Sequence, residues 1–180
     1  MEPYIYFEKQ FMPLAEAKTG MMTNALQYGT GVFEGVRGNL NEEQNQIYIF
    51  RAKEHYERMR NNCKMMRIAL PPVDELCKIT AELVARSGYM EDIYIRPLAY
   101  KSTQGVGTRL HDLDSDFCAT VLPHGHHLAS ENCKAGVSSW RRINGNSAIP
   151  QGKISGQYLN SAFAKTEAIE NGFDEAIFLN

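Results

Sequence analysis

The apolar residues change period along the chain, from two to between three and four and back again, and neither an all-helix nor an all-strand fold accommodates that change. Tyr4, Ile5, Tyr6 and Phe7 alternate between two faces and Phe11 begins a second short strand, so the chain opens as a β-hairpin with its turn near Glu8 to Gln10. Gly31 to Arg37 and Gln46 to Phe50 read as a second pair of strands around a polar turn, Asn39 to Asn45. At Ala52 the period becomes helical: Tyr56, Met59, Cys63 and Met66 share one face up to Arg67, and Pro71-Pro72 ends the helix. Asp74 is the expected cap of another helix, with Leu76, Ile79, Leu83 and Val84 inward and Gly88 as its left-handed stop. Strand character returns over Asp92 to Lys101 and again over Phe117 to Leu122. The segment between them, Ser102 to Ser115, holds Gly105 and Gly107 without periodicity and is a long loop of the kind that carries function.

The expected class is α+β. Polar residues around Ser130 to Lys134 mark a boundary, which gives a small domain over 1–123, an interdomain linker over 124–135 and the start of a larger β-rich domain over 136–180. In that last part Gly136 to Trp140 is strand-like. Gln157 to Asn171 is helical, with Leu159, Ala162, Phe163, Thr166 and Ile169 expected inward, and Ala176 to Leu179 is apolar. A strand, a helix and another strand do not bury a two-faced layer by themselves, so the second domain is expected to be incomplete in these 180 residues.

Composition narrows the partners. Lys plus Arg total 19 against 21 Asp plus Glu, a net charge of -2, so no global positive field is present to hold a nucleic acid. No apolar run reaches the roughly 18 to 20 residues of a membrane span, and the start Met1-Glu2-Pro3 is unlike a signal peptide, so a cytoplasmic protein is expected. Cys63, Cys77, Cys118 and Cys133 form no C-x-x-C pair, and Cys63 and Cys77 fall on helical apolar stripes as small hydrophobes. His124, His126 and His127 crowd one short stretch, but such close positions on a loop rarely converge without other ligands, and no metal is expected.

Lys153 stands apart by its context: Pro150, Gln151 and Gly152 precede it, Ile154, Ser155 and Gly156 follow, and a helix begins just beyond. Small neighbours let a large planar group approach. A phosphate loop ending at Gly152-Lys153 would need Gly at Ser147 and Ser or Thr at Ile154, so that reading fails. What remains is an amine used covalently, as in a Schiff base, or a solvated lysine at a helix start.

The order of several short runs adds to this. Tyr28-Gly-Thr-Gly-Val-Phe-Glu-Gly-Val-Arg37, Phe50-Arg51 with Glu54-His55, Tyr94-Ile-Arg-Pro97, Ser138-Ser-Trp140, and Lys153 followed by Tyr158 and Ala168 occur in one sequence. Together they resemble the fold type IV pyridoxal-phosphate aminotransferases, most closely the branched-chain amino acid aminotransferases. The resemblance runs from Tyr4 to Asn180.

The resemblance implies a fold type IV architecture and pyridoxal 5′-phosphate as cofactor. Lys153 is then similar to the lysine that bonds the cofactor and shuttles the substrate α-proton, Arg51 to the arginine of the cofactor phosphate, and Tyr158 to the tyrosine of the phenolate oxygen. Tyr28 and Phe33 resemble walls of the pocket for a branched side chain, and Tyr94 with Arg96 the strand pair facing the substrate, where Arg96 could meet an acidic side chain. The Gly105 to Thr108 loop resembles one that reaches a neighbouring subunit, which implies a homodimer. The implied activity is ping-pong transfer of the amino group of leucine, isoleucine or valine to 2-oxoglutarate. A D-amino acid aminotransferase, an aminodeoxychorismate lyase or a non-catalytic dimerising fragment are the alternatives. In the family, the acidic partner of the pyridine nitrogen and the turns that complete the phosphate cup lie beyond the position matching Asn180, so weak cofactor binding and little turnover are expected of these residues alone.

Overall fold

The computed structural model describes residues 3–124 and 132–180; His126, His127 and most of the expected linker lie outside them. The chain divides into two compact units, Met1–His124 and Gly125–Asn180. Among the described residues no helix is long and apolar enough to cross a membrane.

The first unit is an antiparallel sheet with one short helix and two longer ones. Its strands are β1 (Tyr4–Phe7), β2 (Gln10–Pro13), β3 (Gly31–Phe33), β4 (Val36–Asn41), β5 (Gln46–Ile49), β6 (Ile93–Lys101) and β7 (Ser115–Pro123). They run in the order β2-β1-β7-β6-β4-β5, with β3 pairing with β6 off that path. A short helix α1 (Asn24–Tyr28) precedes β3, and α2 (Ala52–Met65) and α3 (Val73–Ser87) follow β5 and pack on each other. The N-terminal hairpin turns at Glu8 and Lys9, both at positive φ, which suits the twist of a two-residue hairpin.

Register decides what each face of the sheet carries. In β6 and β7, Ile95 faces Val121, Pro97 faces Ala119 and Ala99 faces Phe117, and all of these side chains are buried. Val36, opposite Ile95, and Val32, opposite Ala99, complete this helix-side core, which α2 and α3 close with Tyr56, Met59, Leu76 and Leu83. The alternate residues of β6, Tyr94, Arg96, Leu98 and Tyr100, line the other face. There Tyr100 and Leu98 join Ile5, Phe7 and Leu14 in a smaller apolar cluster, whereas Arg96 at the far end of the row is exposed.

Two sequence expectations change here. The run Gly31 to Arg37 is not one strand: it breaks at Glu34-Gly35, where β6 passes from β3 to β4. The Glu34 amide donates to the Pro97 carbonyl at 3.0 Å, and Pro97, with no N–H, cannot return the bond, so the β3 ladder stops there. The helix expected to be capped by Asp74 instead begins at Val73 with Pro72 as its N-cap, and Asp74 lies in the first turn, where an acid favours the helix dipole. Gly88 stops it in the left-handed conformation, with φ 64°.

The second unit is a strand, a helix and a parallel strand: β8 (Ala135–Arg141), α4 (Tyr158–Glu170) and β9 (Glu175–Leu179). The face of α4 expected inward is not the packed one. Small Ala164 and Ala168 are buried, whereas Leu159, Phe163 and Ile169 are exposed. Small residues allow the helix backbone close to the two strands, and Phe163 stacks on Trp140 with ring centroids 4.7 Å apart.

Candidate active site

In the second unit the chain from Pro150 to Tyr158 is a compact turn. The Gly152 amide donates to Ile149 and the Gln157 amide to Ile154, and Ile154 anchors the segment in the interior. A Cβ on Gly152 would press on the end of the Ile154 side chain and crowd the Ile149 carbonyl, so a side chain there would shift Ile154. Lys153 Nζ then donates to the Tyr158 hydroxyl at 2.9 Å and lies 5.3 Å from that ring's centroid. Tyr158 itself is exposed, at the first turn of α4.

Arg51 occupies a different setting in the first unit. It is the N-cap of α2, in the left-handed region with φ 49° and ψ 41°, a conformation that costs a non-glycine residue about 1–2 kcal/mol. Its Nε bonds Glu54 Oε1 at 2.9 Å with both side chains largely exposed. Such a pair contributes about 0–1 kcal/mol, so Glu54 is readily exchanged for another anion. Phe50, Arg51, Glu54, His55 and Arg58 line an open cavity of about 280 Å³.

Phe33, Tyr94 and Arg96 meet on the open end of the sheet's outer face. The Arg96 guanidinium lies 4.6 Å from the Phe33 centroid and 5.1 Å from that of Tyr94, held by both π faces. Tyr94 also stacks on His124, 6.3 Å between centroids. Gly35 makes room for this arrangement, because a Cβ there would overlap the Tyr94 hydroxyl and ring.

Tyr28 and the 102–115 loop come together as well. The Gly107 amide donates to the Tyr28 hydroxyl at 2.9 Å, and buried Asn24 donates its side-chain amide to the Gly107 carbonyl at 3.0 Å while accepting from Thr30. Gly105 and Gly107 take φ of 153° and 142°, which excludes most side chains. Thr108 is exposed beside them, and Val106 is 78% exposed.

Sequence reasoning missed Asn24 and the surroundings of Glu34. The Glu34 side chain is fully buried and bonded by Arg58 and His55. Burial alone raises its carboxyl, but the bonds from Arg58 and His55 outweigh it and hold the group below the usual carboxylate range. The signal was present, since an acid inside the apolar run Gly31-Val-Phe-Glu-Gly-Val36 needs buried partners.

A two-unit α+β fold with an accessible lysine amine on a tyrosine hydroxyl describes a class of enzyme scaffold, and comparison with known proteins gives its family. The family described as amino-transferase class IV matches residues 31–180, and the chain belongs to it. It is 43% identical over 179 residues to a probable branched-chain-amino-acid aminotransferase of Aquifex aeolicus, covering 98% of this chain and 58% of that one. The structure of a branched-chain aminotransferase from Thermoproteus uzoniensis with norvaline matches with a TM-score of 0.94 at 35% identity, over 100% of this chain and 60% of that one. A branched-chain amino acid aminotransferase from Thermobaculum terrenum, in its PLP-bound holo-form, matches at 0.90 and 33% identity, over 99% and 59%. The architecture is therefore fold type IV, and the chain spans somewhat under two thirds of the length of these relatives.

The residues present suit a pyridoxal phosphate. In the second unit, an amine and a phenol 2.9 Å apart match an aldehyde next to a phenolic oxygen; in the first unit, taken by itself, an exposed guanidinium in an open cavity suits a phosphate.

Proposed function

We propose that the protein acts as a pyridoxal-phosphate-dependent branched-chain transaminase, exchanging an amino group between leucine, isoleucine or valine and 2-oxoglutarate in a ping-pong cycle. The observation that carries this is the Lys153–Tyr158 contact, in a chain of the class IV family whose relatives are named for that activity.

Lys153 would hold the cofactor through its ε-amine, Tyr158 would bond its phenolic oxygen, and Arg51 would bond its phosphate. When bound, the cofactor supplies an electron sink that acidifies the substrate α-carbon. The Lys153 amine would take the substrate α-proton and return it, with the Tyr158 hydroxyl orienting that amine. Phe33, Tyr28 and Tyr94 form the apolar wall for a branched side chain, with Thr108 at the loop edge. Arg96 meets the carboxylate of the acidic substrate, so one pocket accepts both by the two faces of its cation–π pairs. The homodimer belongs to the same reading.

Borohydride trapping tests the assignment. Pyridoxal phosphate should become fixed to the peptide bearing Lys153 and be lost in Lys153→Ala, and trapping at another lysine sinks it. Preference for D-alanine or aminodeoxychorismate over L-leucine in an activity assay overturns the substrate class.

A further inference from the structure

Glu34 is rooted in the sheet and grips a helix. Its amide donates to Pro97 of β6 at 3.0 Å, and its buried carboxylate accepts from Arg58, Nε to Oε1 and Nη2 to Oε2 at 2.6 Å each. Oε2 also meets His55 Nδ1 at 3.0 Å and, at 3.4 Å, the amide of Gly35. A bidentate guanidinium fixes direction as well as distance.

The other end of this network is the start of α2. The His55 amide donates to the Arg51 carbonyl at 3.1 Å, the first bond of the helix, and Arg51 itself is left-handed. A residue in that region persists where its surroundings hold it. Here His55 holds the Arg51 carbonyl through its main chain while its ring is tied to Glu34. The Arg51 side chain, by contrast, is exposed and bonded to an equally exposed partner, Glu54, which cannot aim it.

We propose that Glu34 is a positioning residue for Arg51: through His55 and Arg58 it fixes the first turn of α2 and so the direction in which Arg51 meets a phosphate. This rests on the reading of Arg51 as the cofactor-phosphate arginine. A carboxylate that merely filled the core would contribute to stability and leave phosphate recognition untouched.

Titration of the chain with pyridoxal phosphate and with pyridoxal, which lacks the phosphate, separates these roles in wild type, Arg51→Gln, Glu34→Gln and His55→Gln. The wild type should prefer the phosphorylated form and Arg51→Gln should lose the preference. Glu34→Gln and His55→Gln should reduce it about tenfold, the equivalent of one well-aligned charge-assisted bond, with pyridoxal affinity changed less than about twofold. If the wild type shows no preference or Arg51→Gln retains it, the phosphate reading of Arg51 falls and the inference with it. If Arg51→Gln loses the preference while the other two keep it, the positioning role alone is overturned. Should Glu34→Gln fail to fold, His55→Gln, which leaves the Glu34–Arg58 pair in place, gives the same decision.

Discussion

The Lys153 amine reaches the Tyr158 hydroxyl across 2.9 Å within one turn of chain, before α4 is fully under way. Because the contact is local, it forms within the second unit. Tyr158→Phe keeps the ring and removes the hydroxyl. Pyridoxal phosphate affinity should fall about five- to tenfold, as for one neutral hydrogen bond, while borohydride still traps the cofactor on Lys153. Unchanged affinity would take the hydroxyl out of the site.

Arg96 rests against Phe33 and Tyr94 on the open face of the sheet. On the proposed transaminase reading, Arg96→Leu should lower kcat/KM for glutamate relative to leucine by about 10- to 100-fold, the loss of a bond between charged groups. An equal fall for both amino acids would instead mean that the substitution disturbs the wall as a whole.

Glu34 titrates lower in the folded chain than its ordinary value of 4.5, since the Arg58 and His55 bonds outweigh its burial. The unfolded chain therefore binds more protons across the interval between the two values. The stabilisation is complete above about pH 4.5 and declines as the pH falls through the folded value. Urea unfolding between about pH 3 and 7 should show Glu34→Gln less stable near neutrality by about 2 kcal/mol, with a shallower acid limb. An acid limb identical to wild type would show that other carboxylates set it.

The thiols should separate by burial. Desolvation pushes Cys63 and Cys118 up to about 12, Cys77 is raised by its burial as well, and Cys133 is exposed. A disulfide reagent at about pH 8 should label Cys133 first, Cys77 more slowly, and Cys63 and Cys118 on unfolding. Fast labelling of Cys63 in the native protein would contradict its packing in α2.

Local rules made much of this fold readable. Strand-length segments marked β6 and β7, and the spacing of three then four residues through Tyr56, Met59 and Cys63 marked α2, because helical spacing records a single buried face. The split at Glu34-Gly35 was unreadable, since it depends on Pro97 in another strand. For α4 the rhythm defined a stripe but not its destination: Ala164 and Ala168 are buried, whereas Phe163, though stacked on Trp140, stays exposed. The site divides in the same way. Lys153 and Tyr158 are five residues apart and visible together, whereas Arg58 reaches Glu34 from 24 residues away and only tertiary structure joins them.

The pairing of Phe33 with Leu98 has a consequence for how the chain tolerates insertion and deletion. Neighbours on a strand point to opposite sides, so Phe33 presents its ring to Arg96 while Glu34 sends its carboxylate through to Arg58. One residue added or removed in β3 would exchange the two, placing an acid among aromatic rings and a ring against two basic groups. Length between Gly31 and Val36 is thus constrained alongside the identities of Phe33, Glu34 and Gly35.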